Sequence, residues 1–365
     1  MSTEDQIYRN LQIHLDKETL GFPTTPSGSD IRLLKSLFPP DQAEMVTLLT
    51  HRFESLDEIK PRAEKMGKSM EEVERVLELA ASRGMIGPKE VEGVKKYRLI
   101  PLFIGFGEAG SFHGTPEFRD AIQEYLTDGP YWQAFLTSAV PQMRTIPIDQ
   151  SVSEERRIAS YDEVRHIIET TADPIAVLPC VCRVAAAKNG NPCKATSREN
   201  TCMLFHEKAV HAVNLGPGQE VSKEEALEIL RKNGEEGLVL QPSNTEVPNF
   251  ICSCCGCCCG LLQLQKAVPN PVDYWATNFQ AAVDVDLCTG CGDCVERCPV
   301  NAMQFEDEKT IAFVDLTRCL GCGVCTTDCP VDAISLHNRE KQTVPPMDTE
   351  ELFEVIVTQK ASSPH

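Results

Sequence analysis

Two copies of one cysteine spacing lie 31 residues apart in the last fifth of the chain. The first is Cys288, Cys291, Cys294, Cys298-Pro299. The second is Cys319, Cys322, Cys325, Cys329-Pro330. The flanks repeat as well. Val283-Asp284 matches Val314-Asp315, and Pro299-Val300-Asn301-Ala302-Met303 matches Pro330-Val331-Asp332-Ala333-Ile334, which marks a duplicated unit. The spacing C-x2-C-x2-C-x3-C-P is the one in which thiolates ligate two [4Fe-4S] clusters. Three thiolates converge from one tight loop, and Gly290, Gly292, Gly321 and Gly323 keep each loop small and bring backbone N–H groups toward the sulfides. The fourth cysteine is expected to start a helix, where a following proline is acceptable because its N–H would have no helical partner. In this arrangement the fourth cysteine of each run serves the other cluster. Cys288, Cys291, Cys294 and Cys329 are therefore assigned to one cluster, and Cys319, Cys322, Cys325 and Cys298 to the other. Zinc is the weaker alternative, since zinc sites usually pair two shorter knuckles. Residues 281–340 hold 11 acidic against 4 basic side chains, and added negative charge favours low potentials. No catalytic acid, base or nucleophile is indicated.

Ten further cysteines occupy the middle of the chain: Cys180, Cys182, Cys193 and Cys202, then Cys252, Cys254, Cys255, Cys257, Cys258 and Cys259. Six cysteines within residues 252–259 cannot share one apolar face, and such a knot of thiolates is tolerable when metal neutralises it. One or two additional iron–sulfur clusters are the leading reading. A zinc site and a redox-active dithiol are the alternatives. All ten are candidate ligands, unassigned among sites. Arg183 reads as a hydrogen-bond donor to a cluster or as a surface charge. His206 and His211 are not counted as ligands.

The whole chain has 365 residues, 35 Lys+Arg against 54 Asp+Glu, and a net charge of −19. That balance opposes binding to nucleic acid and to anionic membrane surfaces. The start, MSTEDQIYRN, lacks the apolar run of a secretory signal, and Leu99–Phe106 is too short to span a bilayer. A cytoplasmic protein with reduced thiols is expected.

The fold class reads as α+β and multidomain. Residues 1–29 read as a polar arm and 30–110 as a winged-helix-like domain. The latter is built from Ile31–Phe38, a helix capped by Asp41, one capped by Ser55 and one capped by Ser69, and it closes on a strand at Tyr97–Ile100. In the Ser69 helix, Val73, Val76, Leu77, Ala80 and Ala81 form an apolar stripe. Glu71, Glu72, Glu74 and Glu78 on the same helix argue for docking rather than DNA binding. Gly105-Phe106-Gly107-Glu108-Ala109-Gly110 nearly fits a nucleotide fingerprint but reads as a turn. Residues 111–172 read as a helical connector with helices at Pro116–Thr127, Tyr131–Val140 and Tyr161–Thr171. Residues 173–260 read as a central Cys-rich α/β domain. It carries a helix at Lys223–Lys232, boxed by Ser222 and Glu225, with Gly234 past its end. Residues 261–282 read as a linker, 283–340 as a dicluster (duplicated βαβ) domain and 341–365 as an acidic tail.

Residues 283–335 resemble a bacterial-type 2[4Fe-4S] ferredoxin at all eight ligand positions. The chain as a whole, through Cys180–Arg183, Cys254–Cys259 and Cys288–Pro330, resembles larger iron–sulfur proteins of anaerobes with a winged-helix-like N-terminal part. The resemblance implies electron transfer in anaerobic metabolism, and with the cluster motif the chain reads as passing single low-potential electrons between a donor and a partner oxidoreductase, with protein redox partners; the charge and the short apolar runs exclude nucleic acid and a membrane span. A catalytic iron–sulfur enzyme using the central cysteines is the alternative. A redox-sensing DNA-binding regulator ranks below it.

Overall fold

Tyr8, Leu11 and Leu15 recur at helical spacing, and the chain forms helix α1 (Thr3–Glu18) with all three buried. Part of the stretch expected as a polar arm is thus a packed helix, whose charged residues face outward around one apolar stripe. The computed structural model describes residues 3–18, 20–151, 159–305 and 311–362. It contains two compact units, Met1–Val140 with Glu350–His365, and Pro141–Thr349. Residues 152–158 of the expected connector and 363–365 of the expected tail lie outside the described residues.

In the first unit α2 (Ser29–Leu37), α3 (Pro40–Val46), strand β1 (Glu54–Ser55), α4 (Leu56–Lys65) and α5 (Met70–Ser82) follow in turn. Ser55 caps α4 in a reciprocal box with Glu58, and Ser69 accepts the Glu72 N–H at the start of α5. The expected α5 stripe is buried. Strands β2 (Gly87–Val91) and β3 (Val94–Arg98) form an antiparallel hairpin, and β1 adds to it in the order β1-β3-β2. Helices α6 (Gly107–His113), α7 (Pro116–Thr127) and α8 (Pro130–Leu136) complete the run. The glycine-rich segment packs rather than cradles. A Cβ on Gly110 would lie 2.7 Å from Leu37 and 2.8 Å from Phe118.

The expected acidic tail supplies a helix, Thr349–Ser362, with Leu352, Phe353 and Ile356 buried. Buried Arg98 sits 4.2 Å from the Phe53 ring centroid and 5.6 Å from that of Phe353. His51 bridges Glu18 Oε2 at 3.2 Å and Glu354 Oε2 at 3.0 Å. The Glu18 hydrogen bond raises the His51 pKa above its ordinary 6.5, against burial and with help from Glu354. Both carboxylates are lowered, first by their hydrogen bonds to His51. The histidine's contribution to stability is therefore complete below pH 6.5 and is lost as pH rises through its raised native value. The carboxylates lose theirs as pH falls below the ordinary 4.5 through their lowered values. His51→Gln should lower the melting temperature most at about pH 5 to 6 and progressively less toward about pH 9. A pH-independent deficit in thermal melts would reject this account.

The second unit opens with β4 (Arg144–Thr145) and helix α9 (Val164–Thr170). Strand β5 (Ile175–Pro179) leads into α10 (Val181–Lys188). Then come β6 (Asn200–Phe205), α11 (His206–Leu215), β7 (Gln219–Val221), α12 (Lys223–Glu235), β8 (Val239–Pro242) and β9 (Phe250–Cys254). The five strands form one sheet in the order β7-β5-β6-β9-β8, antiparallel at every pairing. The central domain thus lacks the parallel sheet that an α/β label implies. Ile167, Ile168 and Leu230 pack with Ile175, Met203, Leu240 and Ile251 as the core. The Ser222–Glu225 box is present, and α12 runs through Gly234 to end before Gly237, which has φ +75°. Gly234 lies inside the helix at a position where a Cβ would meet Gln150 Oε1 at 2.8 Å.

The stretch expected as a linker carries structure: α13 (Gly260–Ala267), β10 (Ala276–Thr277) paired parallel with β4, and most of β11 (Phe279–Val283). Its prolines, Pro269 and Pro271, fall between these elements and leave them intact. Then follow α14 (Asp293–Arg297), β12 (Met303–Phe305), β13 (Ala312–Val314) and β14 (Ile334–Asn338). Strand β11 pairs with β14 and β12 with β13, both antiparallel. Duplication shows in the bonding: Asp284 N–H donates to Ala333 O and Asp315 N–H to Ala302 O, each at 2.7 Å.

Candidate metal centres

The ten central cysteines divide into two groups, and the backbone explains why. Cys252 and Cys254 stand two residues apart on β9 and so share a face. Cys202 is on the neighbouring strand β6. Cys180 immediately precedes α10, Cys182 lies in its first turn, and Cys259 immediately precedes α13. Each of these six thiols interacts electrostatically with others of the set. Cys180 is driven toward the thiolate by bonds from Cys182 and Cys202. Cys182, Cys202, Cys252 and Cys254 are pushed up, first by hydrogen bonding with other cysteines of the set and then by burial.

The second group comes from the turn after β9 and from an irregular loop. Cys193 Sγ lies 3.6 Å from Cys255 Sγ and 3.7 Å from Cys257 Sγ. Cys257 Sγ lies 3.5 Å from Cys255 and 3.7 Å from Cys258. All four sulfurs fall within 4.8 Å of one another. The Lys194 N–H donates to Cys257 Sγ at 3.5 Å. Arg183, 4 % exposed, stands between the groups. Its guanidinium donates to Thr201 Oγ1 at 2.5 Å and to Ser253 O. Burial opposes its charge, but Cys180, Cys202 and Cys255 outweigh that and raise its pKa. It is a buried counter-charge to sulfur, not a surface residue. His211 is outside both groups, with its pKa lowered by burial, and His206 contacts Thr171.

The C-terminal cysteines are arranged differently. One pocket is lined by Cys288, Cys291, Cys294 and Cys329. A second is lined by Cys319, Cys322, Cys325 and Cys298. Each cavity draws three sulfurs from one run and its fourth from the other. Backbone N–H groups point at the sulfurs: Ala281 to Cys319 at 3.3 Å, Ala302 to Cys298 at 3.1 Å and Ala333 to Cys329 at 3.2 Å. Burial pushes Cys294 up to about 11 and Cys322 up to about 12. A soft cation is what would stabilise thiolates there. The donor set, the room and the N–H groups fit a four-iron cube in each cavity.

Comparison with known proteins agrees with this geometry. Residues 287–333 match the 4Fe-4S dicluster domain family. This is a ferredoxin-type segment within a larger protein. A curated relative, "Probable ferredoxin" of Methanosarcina thermophila, is 57 % identical over 28 residues, which is 8 % of this chain and 48 % of the relative. The chain thus spans about half the length of the curated relative it matches. The dicluster segment together with the cysteine groups supports an iron–sulfur electron-transfer role. Among the described residues, no helix is long and apolar enough to cross a membrane.

Two details of the dicluster segment differ from expectation. No helix starts at the fourth cysteine. In the first repeat α14 precedes Cys298, and each Cys-Pro is followed by a single turn closed by Asn301 at φ +57° or Asp332 at φ +51°. Asn and Asp tolerate that left-handed conformation, which stops a helix after one turn. Sequence reasoning also missed Arg318. Its guanidinium reaches Val300 O at 2.9 Å and the carbonyls of Lys266, Val268 and Pro269 at 2.8 to 3.0 Å. It joins the second run to the end of α13, and nothing in its sequence setting marks it.

Proposed function

We propose that this chain is an iron–sulfur electron-transfer protein or subunit. It passes single low-potential electrons between a donor and a partner oxidoreductase in anaerobic metabolism, in the cytoplasm. The reading rests above all on the two four-cysteine cavities, each built from both runs. Cys288, Cys291, Cys294 and Cys329 would hold one [4Fe-4S] cube, and Cys319, Cys322, Cys325 and Cys298 the other. When bound, such a cube supplies one-electron transfer. The chain's own residues fix the sulfurs, aim N–H groups at them and line the second cavity with Val300, Met303, Val324 and Leu336, which limit water.

The central domain would hold further metal, with iron–sulfur clusters the leading occupant and zinc the alternative. Its cysteine turn touches the dicluster segment. A Cβ on Gly256 would lie 3.2 Å from Pro299, the residue after Cys298. That contact favours one connected set of centres. The first unit, winged-helix-like in its β1-β3-β2 sheet and preceding helices, would dock a protein partner rather than DNA. The α5 glutamates support that choice.

Protein purified without oxygen should carry at least about eight irons and as many inorganic sulfides per chain. It should also give a paramagnetic signal after dithionite. A colourless preparation without sulfide would overturn the proposal.

A further inference from the structure

The spacing between sulfurs separates two kinds of site. A cube sets four irons and four sulfides between its ligands, so the cysteine sulfurs around it stand apart and enclose a cavity. That is the arrangement in both dicluster cavities. Cys193, Cys255, Cys257 and Cys258 stand closer together, all within 4.8 Å of one another. Their closest sulfur pairs lie at 3.5 to 3.7 Å. A single tetrahedral ion with metal–sulfur bonds of about 2.3 Å sets its four sulfurs about 3.8 Å apart.

We infer that Cys193, Cys255, Cys257 and Cys258 bind one tetrahedral thiophilic ion, zinc(II) or a single iron, and not a cube. Four thiolates fill the tetrahedron and leave no open position, which makes the ion structural rather than catalytic. Cys193 sits in the irregular stretch between α10 and β6, and the other three in the turn between β9 and α13. Four thiolates on a divalent ion leave two negative charges. Arg183, buried beside Cys255, offsets part of that charge, and the Lys194 N–H bonds Cys257. Cys180, Cys182, Cys202, Cys252, Cys254 and Cys259 lie outside this four-sulfur group.

The inference rests on the central cysteines binding metal and is independent of what the dicluster cavities hold. The test uses the full-length protein purified without oxygen. Zinc, iron and inorganic sulfide per chain are measured for wild type, Cys257→Ser and Cys258→Ser. Cys257 is exposed, so its replacement leaves the core intact. Each variant should lose about one metal ion per chain with no loss of sulfide. Whether zinc or iron falls identifies the ion. Cobalt(II) added to metal-stripped wild type should give the intense tetrahedral thiolate absorption, weakened in both variants. Loss of about four irons together with sulfide would mean a cube and overturn the inference. Unchanged metal in both variants would overturn it too. Absence of iron and sulfide in the wild type would instead strike the electron-transfer proposal, since that result reads the dicluster cavities.

Discussion

A protein carrying Cys298→Ala will lose the iron of the cavity built by the second cysteine run, not that of the run to which Cys298 belongs. Cys298 lines the cavity of Cys319, Cys322 and Cys325, and its sulfur accepts the Ala302 N–H at 3.1 Å. About four irons should disappear, close to half of the dicluster content. Cys294→Ala should deplete the other cavity, which Cys294 shares with Cys288, Cys291 and Cys329. Combining Cys298→Ala with Cys322→Ala should cost no more iron than either change alone, because both empty one cavity. Combining it with Cys294→Ala should remove nearly all eight or so. Iron and sulfide analysis of these variants decides the matter. If Cys298→Ala and Cys294→Ala behaved as members of one site, the crossed arrangement would be wrong.

Arg144→Met should cost about 3 to 5 kcal/mol of stability, a large share of what holds a domain together. Arg144 and Asp162 are each 2 % exposed, with Nε to Oδ1 at 3.2 Å. The guanidinium also donates to the carbonyls of Ser243, Thr245 and Tyr161, and Asn278 donates to the second Asp162 oxygen at 2.8 Å. Burial lowers Arg144 and raises Asp162, so each charge persists because of the other. Removing the arginine strands a carboxylate in the interior. The double variant Arg144→Met/Asp162→Asn should recover part of the loss, and denaturant titrations of wild type, Arg144→Met, Asp162→Asn and the double variant give the coupling. A single variant within about 1 kcal/mol of wild type would show the pair to be replaceable.

The parts of this fold that read clearly from sequence share a local cause. Ser55, Ser69 and Ser222 mark helix starts because a hydroxyl meets a backbone N–H three residues on. The dicluster runs are legible because ligation fixes spacing within one loop. Helix α1 was hidden by its charge, since only Tyr8, Leu11 and Leu15 need to be apolar for one face to be buried. The C-terminal helix was hidden in the same way. The division of the central cysteines was the hardest to see. Cys254 and Cys255 are neighbours in sequence yet go to different groups, because the strand ends between them and the turn redirects the second thiol. Alternation along the strand gives a local signal for Cys252 and Cys254. Nothing local links either to Cys180 or Cys202, since those approach through sheet pairing.

Strand β11 begins before the matched segment, and its pairing with β14 closes the sheet beside both cavities. Thr277 donates to Leu320 O at 2.7 Å and Ile148 N–H to Cys322 O at 3.1 Å, so residues far upstream fasten the second cysteine loop. A Cβ on Gly321 would lie 2.3 Å from the Phe279 carbonyl, so that loop and β11 are shaped to one another. The unit that carries ferredoxin-like sequence is therefore smaller than the unit that must fold. Excised at its sequence borders, it would be an unfinished piece, and transplanting it into another polypeptide would require carrying its neighbours along.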